Sequence, residues 1–342
     1  MKRRILFTAL VSLLLIASCG VKKTHDTAPE RQGYEERELG NLYGDVDSVT
    51  IIKYKLTDKF GELVIDGIMN EDVYKFNLRG DAAEHIRRYK CDGSLNFKRL
   101  YKYDSQGNMI ECISYNNDGS LNSKSLRKYD SKGNMIESAY YNGDGSLSSK
   151  GLYKYDSQGN EIEGARYEGN GALRSKLLYK YDSQGNKIEW TSYNGDGSLD
   201  YKWLNKYDSQ GNEIENAWYG GNGALRSKLL YKYDSQGNKI ESAYYNGDGS
   251  LRRKHLSKYD SQGNMIESTS YKGDGSLDSK SLYKYDSQGN EIELAEYDSN
   301  GSLSSKELYK YDSQGNMIEK VKYEGEIMKP VYKTERVIVY RK

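Results

Sequence analysis

Apolar and polar residues alternate along most of this chain, and the pattern returns every 26 residues. The stretches Met109–Tyr115 and Leu121–Tyr129 show the period of two that is typical of half-buried strands. Between such stretches lie short polar segments that contain Gly, such as Asp104–Asn108 and Asn116–Ser120. A type I turn followed by a left-handed glycine joins the strands of a hairpin. Each 26-residue unit therefore predicts two strands and two turns.

The phrase Lys-Tyr-Asp-Ser-Gln-Gly-Asn marks each copy of the unit. It begins at Lys102 and returns without insertion or deletion at Lys128, Lys154, Lys180, Lys206, Lys232, Lys258, Lys284 and Lys310. The one departure in these seven letters is Lys132, which stands where the other copies have Gln. A fixed period of this size is the signature of a repeat architecture.

The repeats predict an all-β fold, an antiparallel β-meander of tandem hairpins. The only prolines are Pro29 and Pro330, so none interrupts a strand of the array. Open sheets of many strands twist and curl. We therefore expect an elongated coiled sheet or β-solenoid, with a spiral shell as the alternative.

The turn chemistry also predicts a register. Tyr103 should face Met109, and Lys102 should face Ile110. By the same reasoning Tyr115 should face Leu121, Ile113 should face Ser123, and Ile110 should face Leu126. This register places Glu111, Ile113, Tyr115, Leu121, Ser123 and Tyr129 on one face, and Ile110, Cys112, Ser114, Lys124, Leu126 and Lys128 on the other. Positions equivalent to 113 are small or β-branched in every copy, which predicts packing, whereas those equivalent to 112 and 114 vary and are expected to face solvent.

Composition shifts divide the chain into five segments. They are a signal peptide (1–18), a polar tether (19–38), an N-terminal β cap with a degenerate repeat (39–95), the repeat array (96–323) and a C-terminal cap strand (324–342).

The N-terminus has a basic start at Lys2–Arg4, an apolar run over Ile5–Ile16 and then Ile16-Ala17-Ser18-Cys19. This resembles the lipobox of bacterial lipoproteins. The resemblance implies cleavage before Cys19 and attachment of acyl chains such as palmitate, which hold a protein on a membrane. Gly20 rather than Asp after the cysteine implies the outer membrane, on its periplasmic or its surface side. An ordinary secretory signal is the alternative.

Charge and composition narrow the function classes. Lys and Arg number 51 against 50 Asp and Glu, so the concentrated basic face of a nucleic-acid binder is not expected. The three histidines, His25, His85 and His255, are far apart in the sequence and predict neither a catalytic triad nor a zinc site. Segments such as Asn194–Gly197 offer only part of a calcium loop. We expect a protein without enzymatic activity, metal or cofactor.

Four aromatic residues on the variable face, Tyr140, Trp190, Trp218 and Tyr244, are candidate ligand-binding residues. Exposed rings stack on sugars or anchor a protein partner. The alternative is that they pack on their neighbours and shield a thin sheet.

Tyr-Asp-Ser-Gln-Gly-Asn followed by Met-Ile or Glu-Ile is similar to the YD repeat of Rhs and teneurin-type proteins. The resemblance covers 96–323 and implies a spiral β-shell. MORN-type hairpin repeats are a weaker resemblance. We expect a lipid-anchored envelope protein that serves as a spacer or a protein-interaction surface, with carbohydrate binding as the alternative.

Overall fold

A computed structural model describes residues 39, 42–59, 62–89, 94–325 and 327–342. The predicted signal peptide (1–18), Cys19 and the tether (19–38) lie outside the described residues.

The described residues contain twenty-two β-strands. They are β1 (Val46–Lys59), β2 (Glu62–Phe76), β3 (Ala82–Tyr89), β4 (Leu95–Tyr103), β5 (Met109–Tyr115), β6 (Leu121–Tyr129), β7 (Met135–Asn142), β8 (Leu147–Tyr155), β9 (Glu161–Glu168), β10 (Leu173–Tyr181), β11 (Lys187–Asn194), β12 (Leu199–Tyr207), β13 (Glu213–Gly220), β14 (Leu225–Tyr233), β15 (Lys239–Asn246), β16 (Leu251–Tyr259), β17 (Met265–Lys272), β18 (Leu277–Tyr285), β19 (Glu291–Tyr297), β20 (Leu303–Tyr311), β21 (Met317–Glu324) and β22 (Lys329–Tyr340).

The strands form a closed barrel. Each strand pairs antiparallel with the next, and β1 also pairs with β22, from Val46–Tyr340 to Lys55–Tyr332. The prediction of an all-β antiparallel meander is confirmed, but the elongated coiled sheet or β-solenoid is wrong. An open sheet leaves two edges of unpaired N–H and C=O groups, and closure gives both edges a partner. The segments expected to be terminal caps supply the two strands of this seam.

Polar contacts stabilise one rim of the barrel near the seam between β1 and β22. Arg341 donates to the carbonyl oxygens of Phe76 and Asn77 at 2.8 and 2.7 Å. The wholly buried Asn316 donates to the Tyr43 carbonyl at 2.9 Å and accepts from the Tyr43 N–H at 2.6 Å. These bonds satisfy backbone groups where the chain enters the barrel.

The turns have the predicted chemistry. Gly107 has φ 95°, and its N–H donates to the Asp104 carbonyl at 3.2 Å, which closes the type I turn. The Asp104 carboxylate accepts from the backbone N–H groups of Gln106 and Asn108, both at 2.9 Å. This internal hydrogen bonding explains why the Asp-x-x-Gly pattern does not vary.

The register differs from the prediction by one residue after each turn. Tyr103 faces Met109 as predicted, but Lys102 pairs with Glu111 because Ile110 is an extra residue in the ladder. The second turn behaves alike: Tyr115 faces Leu121 as predicted, but Ile113 pairs with Lys124. Such β-bulges shift the pairing and turn the following strand over.

The predicted faces are therefore wrong for every second strand. Residues that pair directly in an antiparallel ladder share a face. One face carries Glu111, Ile113 and Tyr115 together with Lys124, Leu126 and Lys128, and the other carries Cys112, Ser114, Ser123 and Tyr129.

We infer that the variable face lines the lumen. Asp72, Tyr74 and His85 lie on it and are 0–2% exposed. On the opposite face, lysines such as Lys128 are about two-thirds exposed, with 69% of that side chain accessible. On this assignment, the variable positions that were expected to face the outer solvent open into the barrel.

The outer face carries a belt of ion pairs. Each glutamate in the belt lies between two lysines, as Glu163 does between Lys154 at 2.9 Å and Lys176 at 3.0 Å. In residues 94–342 the pattern recurs at Glu111, Glu137, Glu163, Glu189, Glu215, Glu241, Glu267, Glu293 and Glu319. Hydrogen bonds from the two lysines hold the pKa of Glu163 below its usual value. An isolated exposed pair contributes little, but a network of this kind fixes the register.

Tyrosine hydroxyls close the gaps that the bulges leave. The backbone ladder between β5 and β6 stops at Glu111–Leu126, short of Met109. The Tyr129 hydroxyl donates to the Met109 carbonyl at 2.9 Å across this gap. Tyr155, Tyr181, Tyr207, Tyr233, Tyr259, Tyr285 and Tyr311 repeat the contact at 2.6–3.0 Å. The need for a hydroxyl here helps to explain 34 Tyr against 4 Phe.

The strands tilt, and this sets the width of the barrel. Leu100 pairs with Ile113, which pairs with Lys124, two residues short of Leu126, the position equivalent to Leu100. A slip of one residue per strand corresponds to a tilt of roughly 35°. With 22 strands, a circular section would measure about 40 Å between opposite backbones.

Closure can be tested by crosslinking. Thr50 of β1 pairs with Val337 of β22 on the outer face. We expect Thr50→Cys with Val337→Cys, in a background without the native cysteines, to oxidise to an intramolecular disulfide, which non-reducing gels and mass spectrometry detect. Thr50→Cys with Thr191→Cys is the control that should stay reduced. A reduced first pair would mean an open sheet.

The contribution of the tyrosine hydroxyl can be tested by removing that one oxygen atom. Tyr155→Phe removes a hydroxyl that donates to the Met135 carbonyl at 2.8 Å. We expect the free energy of unfolding in urea to fall by about 1 kcal/mol, because a part-buried carbonyl loses its partner. Tyr193→Phe, on the outer face, is the control that should change it by less than about 0.5 kcal/mol. Equal effects at both sites would contradict the role of the hydroxyl.

Candidate functional site

The four predicted aromatic residues all lie on the lumenal face, on four different strands. Tyr140 is on β7, Trp190 on β11, Trp218 on β13 and Tyr244 on β15. Trp190 and Trp218 belong to one cluster because Trp203 of β12, which the sequence reasoning did not single out, pairs with both. Tyr140 and Tyr244 lie outside this cluster.

The cluster is a row of rings across adjacent strands. Trp203 stacks on Trp190 and on Trp218 with ring centroids 5.8 Å apart in both cases, and with interplanar angles of 22° and 16°. Tyr179 of β10 continues the row at 6.5 Å from Trp190. Tyr201 meets Trp190 edge to face at 5.8 Å. We call these five residues the tryptophan row.

Packing uses most of the ring surface in the tryptophan row. Both faces of Trp203 are covered by its neighbours, so the indoles present edges to the lumen, and all three Trp residues are half-buried. The Trp190 Nε1–H is buried without a hydrogen-bond partner among the described residues. An unpaired donor of this kind costs about 1–3 kcal/mol, a penalty that an acceptor on a ligand could relieve.

A polar network lies beside the row. Asn205 donates to the Lys187 carbonyl at 2.9 Å and accepts from Asn216 at 2.8 Å. Burial raises the pKa of Glu213 and lowers that of Lys239. This part of the lumenal wall therefore holds partly dehydrated charges close to aromatic rings.

The other two predicted residues have different surroundings. Tyr140 is 45% exposed and pairs with two serines, Ser125 and Ser149. The guanidinium of Arg252 lies 5.2 Å from the centroid of the Tyr244 ring. Tyr140 is thus the most accessible of the four rings, and Tyr244 contacts a cation.

Comparison of copies within the chain could have found Trp203. Its position is occupied elsewhere by Ser125, Gly151, Leu177, Leu229, His255, Ser281 and Glu307, which is as variable as the positions equivalent to 112 and 114. Trp203 and the other variable positions of the even-numbered strands lie on the same face as the positions equivalent to 112 and 114 only when the bulge after each turn is included in the register. The register error therefore concealed half of the lumenal wall.

One buried histidine has an acidic partner that the sequence did not reveal. His85 Nε2 lies 2.7 Å from Asp72 Oδ1, and the ring stacks on Tyr74 at 4.1 Å. Arg87 also donates to Asp72, whose pKa is held low by hydrogen bonds from His85 and Arg87 in opposition to burial. Since His85 is 2% exposed, we interpret Asp72, His85 and Arg87 as a structural group of the wall rather than a binding site.

No group of three or more His, Cys, Asp or Glu side chains among the described residues could hold a metal ion. No helix in the described part of the chain is long and apolar enough to cross a membrane.

Comparisons with known proteins give fold-level similarity alone. The chain matches no protein-family model and no curated protein. It resembles the Tc holotoxin pore of Photorhabdus luminescens, with 12% identity and a TM-score of 0.25, over 77% of this chain and 19% of that one. It also resembles a porin-like protein from Bacteroides uniformis, with 8% identity and a TM-score of 0.33, over 87% of this chain and 99% of that one.

A third similarity is to a protein of unknown function from Bacteroides fragilis, with 13% identity and a TM-score of 0.20, over 41% of this chain and 91% of that one. The chain spans about a fifth of the length of the toxin component. The neighbours include the Rhs/YD-like toxin component TccC3 and are consistent with repeated β-hairpins. At these TM-scores none of the similarities supports a functional argument.

The packing of the tryptophan row can be tested at its centre. Trp203→Leu removes a ring whose two faces are covered, whereas Trp218→Leu removes one at the end of the row. We expect Trp203→Leu to lower the free energy of unfolding by about 2–3 kcal/mol and Trp218→Leu by about half as much. Urea denaturation measures both, and near-ultraviolet circular dichroism reports the loss of ring stacking. A larger effect at Trp218 would contradict this packing.

Proposed function

We propose that this chain is a non-enzymatic, lipid-anchored protein of the bacterial cell envelope whose barrel presents an interaction surface on its lumenal wall. The anchor is Cys19, and Gly20 favours the outer membrane. Both rest on the resemblance of the N-terminus to a lipobox. The lumenal wall is the part of the proposal that the geometry supports.

The observation that carries the proposal is the distribution of variation among the copies. On the outer face the columns of Glu111, Tyr115, Lys124 and Leu126 hold a single residue type in every copy. On the lumenal face the columns of Met109, Cys112, Ser114, Ser123, Ser125 and Arg127 change from copy to copy. The outer residues make the ion pairs that every hairpin needs, whereas on the lumenal face the fold makes such a demand at the invariant column of Tyr129 but little at these variable columns. A wall of different side chains on a uniform scaffold suits recognition.

The closed barrel favours an interaction surface over a spacer. In an open array each added repeat extends the length. In a closed barrel each added repeat contributes two strands to the circumference and so changes the width. Copy number then sets the size of the lumen.

Carbohydrate is the second candidate within this proposal, and the aromatic residues of the lumen favour it. Tyr140 is 45% exposed on the concave wall, and the tryptophan row presents ring edges and an unpaired indole N–H. Aromatic rings and unpaired donors on a rigid sheet suit the alternating apolar faces and hydroxyl groups of sugars.

Adjacent tyrosines provide a matched test. Tyr140 and Tyr244 face the lumen, whereas Tyr141 and Tyr245 face outward. We expect the acyl-free protein to bind members of a glycan array or an envelope polysaccharide fraction. Tyr140→Ala with Tyr244→Ala should weaken that binding by at least about fivefold, the effect of losing an aromatic anchor.

Tyr141→Ala with Tyr245→Ala is the control, and thermal denaturation establishes that both double variants are folded. An equal loss in the two variants would place the binding surface outside the lumen. No binding to any glycan would reject the carbohydrate candidate and leave protein partners to be sought by crosslinking on intact cells.

A further inference from the structure

A second lumenal surface, separate from the tryptophan row, crosses β6 to β9. Arg127 pairs with Ser138, Ser138 with Gly151, and Gly151 with Arg166, so the four residues form one row across the wall. The two arginines are three strand spacings apart, about 14 Å. Tyr140 and Tyr153 flank the row. We call Arg127, Tyr140, Tyr153 and Arg166, with the small residues between them, the arginine–tyrosine patch.

Two small residues of the patch, Ser138 and Gly151, lie beneath Tyr153. Ser138 is 2% exposed, and its hydroxyl lies 3.2 Å from that of Tyr153. A Cβ on Gly151 would lie 2.6 Å from Tyr153 Oη and 2.7 Å from Ser138 Oγ. Glycine therefore allows the phenol of Tyr153 to lie over the row between the two arginines, where Ser138 and Gly151 are buried.

The charge of the patch is not balanced locally. Arg127 and Arg166 have no hydrogen bond or ion pair with any described residue, and Arg166 is exposed. Glu161 interacts electrostatically with this charge. Burial raises the pKa of Glu161, and the positive charges of Lys187 and, second, Arg166 oppose that rise. Arg166 and Lys187 thus share one partly dehydrated carboxylate. The outer face differs, because each glutamate of its belt is held by two lysines.

We propose that the arginine–tyrosine patch binds a linear anionic glycan that carries carboxylate groups, such as a polyuronate. This inference rests on the lumenal binding proposed above and names the ligand class. A guanidinium group binds a carboxylate through two parallel hydrogen bonds. A chain of several linked sugars spans the distance between the two arginines and can present one carboxylate to each. The two phenols supply ring surface and hydroxyls to the sugars between the charges.

The test compares a short oligogalacturonate with a neutral galactan oligosaccharide of the same length. Calorimetry on the acyl-free protein at low ionic strength should show binding of the oligogalacturonate and much weaker binding of the neutral chain. Arg127→Gln and Arg166→Gln should each reduce the affinity by about five- to tenfold, and the double variant by more. Added salt should weaken the wild-type complex more than that of the double variant.

Lys132→Gln is the matched control. It removes one positive charge and a hydrogen bond to the Ser157 carbonyl from an exposed turn, and it installs the residue that the other copies carry without that bond, so we expect the fold to be preserved. We expect it to change the affinity by less than about twofold, because Lys132 is exposed in a turn rather than placed on the wall.

Equal binding of the neutral chain, unaffected by the arginine variants, would overturn the anionic class and leave the lumenal glycan proposal standing. Binding of neither chain, with no glycan bound elsewhere, would overturn both. A single-stranded oligonucleotide of equal charge that competes as well as oligogalacturonate would show general polyanion binding and overturn the glycan assignment.

Discussion

The structure depends on the extra residue that follows every turn. Without the bulge at Ile110, Lys102 would face an isoleucine, and Glu111 would pair with Tyr101 on the other side of the sheet. With it, Lys102 faces Glu111, and the next strand brings Lys124 to the same carboxylate. One inserted residue per turn therefore gathers the invariant lysines and glutamates of the repeat on one face and places most of the variable residues on the other.

The same bulge leaves a backbone carbonyl without a backbone donor, and a tyrosine hydroxyl supplies the hydrogen bond. The bulge separates the ends of neighbouring hairpins and leaves carbonyl groups such as that of Met109 outside the ladder. A buried carbonyl without a donor is expensive, and water has limited access between the strands. The hydroxyl of the tyrosine in each Tyr-Asp pair reaches that carbonyl, so the most invariant phrase of the chain encodes a turn and a tie between neighbouring hairpins. Phenylalanine has the same ring but cannot make this bond.

Closure divides the molecule into a uniform exterior and a varied interior. The belt of ion pairs on the outside keeps that surface hydrated and charged. The interior holds features without an equivalent outside, namely the tryptophan row, the buried Asp72–His85 pair and the arginine–tyrosine patch. A functional surface on the concave wall is protected by the scaffold and can change without disturbing the contacts that hold the strands together. This separation underlies both proposals.

The sequence by itself determined the local structure. The bounds of strands such as Met109–Tyr115, the turns built on Asp104 and Gly107, the antiparallel order and the candidate status of Trp190 and Trp218 all follow from alternation and turn chemistry, which act over a few residues. Only the tertiary structure decided the register beyond the first pair of each hairpin, the side on which each residue lies, the role of Trp203 and the pairing of β1 with β22. These depend on bulges that carry no local signature and on contacts between residues nearly 300 positions apart, such as Val46 and Tyr340. These long-range contacts stabilise the fold only when the sheet has curved far enough for β1 to pair with β22.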